Sequence, residues 1–122
     1  ADVSHAPKLT TADARVRWTD PALAVDRRIR ACTPAPGAWS EVAGVRLGLL
    51  RLASSDASTD LRDAGIDRHL LPGQVAVTKG AVYVGTGSVP VELGQVRPAG
   101  RRPMAASDWA RGARLVGDER FS

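Results

Sequence analysis

Polar and apolar residues alternate through Arg15-Val16-Arg17-Trp18, a period of two that turns Val16 and Trp18 to one side of an extended chain. A short strand is predicted there. It ends at Thr19-Asp20-Pro21, where Asp20 is placed to cap a helix and Pro21 to fill its first position. The period then changes: Ala22, Val25, Ile29 and Cys32 recur at helical spacing and form one apolar stripe. The predicted helix lasts about three turns, because Pro34 and Pro36-Gly37 cannot continue it. At 100° per residue, Arg27 and Arg30 project roughly opposite the stripe while Arg28 lies on its flank.

Beyond the prolines the pattern returns to strands. Residues 38–42 and 45–53 read as a pair joined at Ala43-Gly44, and residues 74–78, 82–85 and 89–96 as three more, with turns at Lys79-Gly80 and Gly85-Thr86-Gly87-Ser88. Between these groups, residues 54–72 are small, polar and acidic, and read as a long surface loop. A second helix is predicted from Ser107 as its cap, with Trp109, Ala113 and Val116 inward and Arg111 and Arg114 three apart on another face. Six short strands, one interposed helix and a C-terminal helix predict a mainly β fold: a small, partly open, OB-like Greek-key barrel.

At 122 residues one domain is expected, with residues 1–10 as a linker remnant and residues 11–122 as the barrel. Its 43% hydrophobic and 25% charged residues exclude a disordered or collagen-like chain. The longest apolar run, 45–53, is broken by Arg46 and Arg51, so no membrane helix is predicted. The start has neither an initiator Met nor a signal-like stretch, which suggests a domain excised from a longer chain. One cysteine cannot form an internal disulfide, and a cytoplasmic location is the expectation.

Charge is unevenly spread. Seventeen Lys and Arg against thirteen Asp and Glu give +4; residues 1–53 sum to +3, 54–72 to −2 and 73–122 to +3. A net charge of this size leaves a solvated basic face and a polyanion-binding face both open. The other candidates reduce to structure. His5 and His69 read as surface residues, Cys32 as a small core hydrophobe, and Trp18, Trp39 and Trp109 as filling for a small barrel. Gly85-Thr86-Gly87 lacks the following helix and lysine of a phosphate loop and reads as a turn.

Several blocks fall in a recognisable order: Lys8-Leu9 with Ala14-Arg15-Val16-Arg17-Trp18, then Ile29-Arg30-Ala31-Cys32-Thr33-Pro34-Ala35-Pro36-Gly37-Ala38-Trp39, then Pro98-Ala99-Gly100-Arg101-Arg102-Pro103-Met104, and Asp108-Trp109-Ala110-Arg111-Gly112. Over nearly the whole chain this resembles the C-terminal domain of the methionyl-tRNA formyltransferase family, in an actinobacterial-like form. Arg17 departs from the family pattern, in which an aspartate is common before the tryptophan, and 54–72 is a variable region.

The resemblance implies a parent enzyme that moves a formyl group from 10-formyltetrahydrofolate, its co-substrate, to the methionyl α-amine of initiator Met-tRNA. It implies a catalytic N-terminal formyltransferase domain in the same polypeptide and a C-terminal barrel that holds the tRNA. The family's Asn, His and Asp constellation and its Ser-Leu-Leu-Pro segment are not found here, so no catalytic, cofactor-binding or metal residue is assigned. The residues expected to meet tRNA are Lys8, Arg27, Arg28, Arg30, Arg101, Arg102, Arg111 and Arg114. A monomer without membrane contact is expected. Two alternatives stay open: a structural or interaction barrel, and the barrel of another formyl-folate enzyme, such as formyltetrahydrofolate dehydrogenase or a nucleotide-sugar formyltransferase, with no RNA role.

Overall fold

The computed structural model describes residues 9–122; Lys8, His5 and most of the expected linker lie outside the described residues. In chain order the elements are α1 (Ala22–Cys32), β1 (Ala38–Val42), β2 (Val45–Ser54), α2 (Ser58–Asp63), β3 (Val75–Val77), β4 (Val82–Val84), β5 (Val91–Pro98), β6 (Met104–Ala105) and α3 (Ala106–Gly112). The strands form one antiparallel sheet in the order β1-β2-β5-β4-β3, with β6 also on β5. The meander β3-β4-β5 with β2 returned beside β5 is a Greek key, and the sheet curls into the expected partly open, OB-like barrel. β5 is its hub: β2 runs along one edge, while β4 and β6 share the other.

The apolar stripe of α1 is buried as its spacing predicts, with Ala22, Val25, Ile29 and Cys32 all at 2% exposure or less. They join Leu47, Leu49, Val84 and Val96 in the main core. β1 and β2 turn on Ala43-Gly44, where φ is 53° and 78°. Positive φ at both central residues is the pattern whose twist matches that of the flanking strands.

Four sequence expectations change. Residues 15–18 bury Val16 and Trp18 but make only an isolated bridge, Arg15 to Trp39; the sixth strand is instead β6. Helix α1 starts one residue late, with Pro21 at the cap and no local side chain on the free N–H groups. The cap comes from 66 residues away: Ala22 N–H donates to Ser88 Oγ at 2.9 Å. Residues 19–20 are drawn there because Gly87 has no side chain; a Cβ on it would lie 2.1 Å from the Thr19 carbonyl oxygen.

The 54–72 segment is not a plain loop. It contains α2, and Ala57, Leu61 and Leu70 bury against Ala76 and Tyr83 as a second, smaller core. At the C-terminus, α3 starts at Ala106 without a Ser107 cap and ends early. It buries Ala106 and Ala110 and leaves Trp109 half-buried and Ala113 and Val116 exposed. Arg114 lies beyond the helix at φ 57°. There Leu115 N–H reaches the Ala110 carbonyl and Arg114 N–H that of Arg111, a Schellman ending with arginine where glycine is usual.

The last residues close the barrel. Val42 bridges Phe121 and Gln74 bridges Arg120, so one short segment pairs with both β1 and the entry to β3, the two ends of the strand order. Its backbone bonds include Phe121 N–H to Gly73 O at 2.7 Å and Ser122 N–H to Glu41 O at 2.8 Å. The Phe121 ring sits 5.4 Å from Trp18 and 6.1 Å from Trp109.

Two stability outcomes follow from these contacts. Phe121→Ala should lower unfolding free energy by about 3–5 kcal/mol, the usual cost of emptying a buried phenylalanine site, read as an earlier urea midpoint. Ala43→Asn should raise it by up to about 1 kcal/mol, since asparagine tolerates positive φ better than alanine.

Candidate nucleic-acid interface

The site begins with a turn at the start of the described chain. Thr10 N–H donates to Asp13 Oδ2, and Asp13 N–H donates to Thr10 Oγ1, a reciprocal arrangement that closes the turn. Backbone bonds between Ala14 and Trp39 and between Val16 and Trp39 then hold this segment against β1. The Trp39 indole N–H donates to the Thr11 carbonyl at 2.6 Å.

Strand alternation puts Trp39 and Glu41 on the face of β1 opposite Ala38, Ser40 and Val42. Across the sheet Trp39 stands opposite Gly48, and Gly48 opposite Arg97. Gly48 presents no side chain between them. The Arg46 guanidinium carbon lies 3.7 Å from the centre of the Trp39 ring, and that of Arg15 lies 5.0 Å away. Trp39 is therefore buried, as expected, but beneath cations rather than wholly among aliphatic groups.

Over this face opens a groove of about 540 Å³. One wall is the chain leaving α1, Thr33 to Gly37; the other is the β5–β6 connection, Ala99 to Arg101. Arg46, Arg97 and Arg101 all line it, and among the described residues no Asp or Glu does. The two proline-glycine blocks recognised in the sequence, some sixty residues apart, thus converge on one surface.

The other expected residues are placed as follows. Arg27 is exposed on α1, and Arg102 is exposed beside Arg101. Arg28 is half-buried and donates to the Asp13 carbonyl, which fastens the N-terminal turn to α1. Arg30 pairs with Asp26 at 3.1 Å and Arg111 with Asp108 at 3.3 Å. Arg111 and Arg114 do not line the groove. Arg46 and Arg97 are functional candidates that sequence reasoning missed. The available signal was their outward position on β2 and β5, flanking buried Leu47 and Val96.

The acidic segment is turned elsewhere. Asp60 on α2 approaches Glu92 and Tyr83, which stand opposite each other on β5 and β4. Burial, and then the Asp60 charge, raise the Glu92 carboxyl above its usual range; burial, and then Glu92, raise the Tyr83 phenol. Negative charge gathers over the small second core, and the arginines keep the groove. His69 is exposed and Cys32 buried. Among the described residues no three His, Cys, Asp or Glu side chains are grouped to hold a metal ion, and no helix is long and apolar enough to cross a membrane.

Comparison with known proteins agrees with the family resemblance that the sequence blocks carry. The family described as formyl transferase, C-terminal domain, matches residues 8–114. The chain is 53% identical over 113 residues to a methionyl-tRNA formyltransferase of Nocardioides sp., covering 93% of this chain and 34% of that protein. It is 52% identical over 118 residues to the Streptomyces coelicolor enzyme of the same name, covering 97% and 35%. The chain therefore spans about a third of the length of these relatives. A crystal structure of a HypX variant from Aquifex aeolicus superposes with a TM-score of 0.65 at 26% identity, covering 92% of this chain and 19% of that one.

Two measurements probe the turn after α3 and the turn at residues 10–13. Arg114→Gly should stabilise the chain by about 0.5–1 kcal/mol, because glycine adopts the left-handed ending without steric cost. Hydrogen bonds from the Thr10 backbone and hydroxyl hold the Asp13 carboxyl below its ordinary value of 3.8. A carboxyl depressed on folding stabilises above its unfolded value and loses that contribution as pH falls through the folded value. The melting-temperature gap between the unaltered chain and Asp13→Ala should accordingly be constant near neutrality and close below pH 3.8.

Proposed function

Because the chain belongs to the formyl transferase C-terminal domain family, we propose that it is the C-terminal barrel of a methionyl-tRNA formyltransferase, and that its arginine-lined groove takes the sugar–phosphate backbone of initiator Met-tRNA. The parent protein is a cytoplasmic, monomeric enzyme that uses 10-formyltetrahydrofolate to formylate the methionyl amine. Its catalytic domain lies in the remaining two thirds of the polypeptide. The observation that carries the reading is the set of Arg46, Arg97 and Arg101 on one groove with no acidic side chain among the described lining residues.

Guanidinium groups suit this task. Their planar donor fork matches phosphate oxygens, and they shed water more readily than ammonium groups do. Contacts of this kind orient RNA without reading its sequence. Exposed Arg27 and Arg102 extend the basic surface, while Arg28, Arg30, Arg111 and Arg114 are its outlying members; Lys8, outside the described residues, is a further candidate for a phosphate contact. Tethered to a catalytic domain, such a surface raises the local concentration of the acceptor end. Loss of it acts on KM more than on kcat.

The test is binding of this chain to initiator tRNA across a salt series. Each neutralised phosphate contributes roughly −0.7 to −0.9 to the slope of log affinity against log salt. The triple variant Arg46→Ala, Arg97→Ala, Arg101→Ala should bind more weakly and with a slope shallower by about two units. An unchanged slope would remove the groove from the interface, and no binding at low salt would favour a purely structural barrel.

A further inference from the structure

Glu41 stands directly opposite Arg46 in the β1–β2 register, where opposite charges ordinarily pair. They do not pair here. The Glu41 carboxylate accepts from Arg15 Nη2 at 3.2 Å, and among the described residues no carboxylate takes Arg46. Arg46 instead lies over Trp39, 3.7 Å from the ring centre. Trp39 is itself anchored through its N–H to Thr11. A guanidinium held over a ring by cation–π attraction keeps the N–H donors that point away from the ring free.

Building on the proposed tRNA-backbone reading of the groove, we infer that Arg15 and Trp39 are positioning residues for Arg46. Arg15 occupies the neighbouring carboxylate and Trp39 supports the guanidinium, so Arg46 meets the polyanion as an oriented cation that no carboxylate of the described residues neutralises. Arg15 does not line the groove and acts through Glu41. Without it, Glu41 turns to its cross-strand neighbour, and a phosphate must displace that carboxylate before it can bind. Arg15 and Glu41 are 42% and 39% exposed, and an ion pair so open to water adds little to folding. Variants at both positions therefore keep the fold.

The experiment measures affinity of the chain and its variants for initiator tRNA at low salt. Arg15→Ala should weaken binding about fivefold, a coupling typical of neighbouring charged groups. Adding Glu41→Gln should restore affinity to within about twofold. Adding Asp63→Asn, which restores the same net charge from the acidic segment, should not. In an Arg46→Ala background, Arg15→Ala should cost nothing further. Equal rescue by Asp63→Asn would reduce the effect to net charge, and a full Arg15 loss without Arg46 would mean direct contact; either overturns the positioning role. Absence of tRNA binding by the unaltered chain overturns the groove reading and this inference together, whereas binding without coupling overturns only the inference.

Discussion

A curled sheet with two unpaired edges exposes backbone donors and acceptors that must find partners, and here one four-residue segment at the C-terminus serves both edges. Glu119 to Ser122 bonds to Gly73 and Val75 on one side and to Glu41 on the other. Its carbonyl at Ser122 also accepts from Ser40 Oγ, which in turn accepts from the Trp18 indole N–H. The Phe121 ring fills the space between Trp18 and Trp109. With the barrel closed this way, β1 holds its place, and Trp39 and Glu41 stand on the face where the arginines collect.

That face works by separation of charge. Arginines of one helix are largely committed, Arg28 to a carbonyl and Arg30 to Asp26, while Arg46 and Arg97 are carried outward by strands whose neighbouring side chains face the core. The acidic 54–72 segment folds over the β3–β4 side, where it burdens Glu92. A net charge of +4 thus understates the field that the groove presents to a polyanion.

Much of this was legible along the chain. The stripe of α1, the Ala43-Gly44 hairpin and five of the six strands follow from local periodicity and turn residues, because each depends on neighbours a few positions away. What was not legible depended on distant partners. The Ser88 cap of α1 lies 66 residues from its helix. Strand β6 has two residues, too few to show a period. Trp109 and Val116 were read as inward on a helix extended past Gly112, but the chain turns there on a left-handed Arg114.

The site divides along the same line. Its proline-glycine blocks and the abundance of arginine are properties of the sequence by itself, and they determined the family and the kind of ligand expected. Only the tertiary structure decided which arginines share a surface, since that depends on strand register. A shift of one residue would send Arg46 and Arg97 to the other face. Whether each cation is free or spent was likewise settled by folding: Glu41 faces Arg46 in the ladder, yet a chain segment bridged to Trp39 delivers Arg15 to it. Coulombic partnership is a matter of ångströms in space, and spacing along a sequence does not contain it.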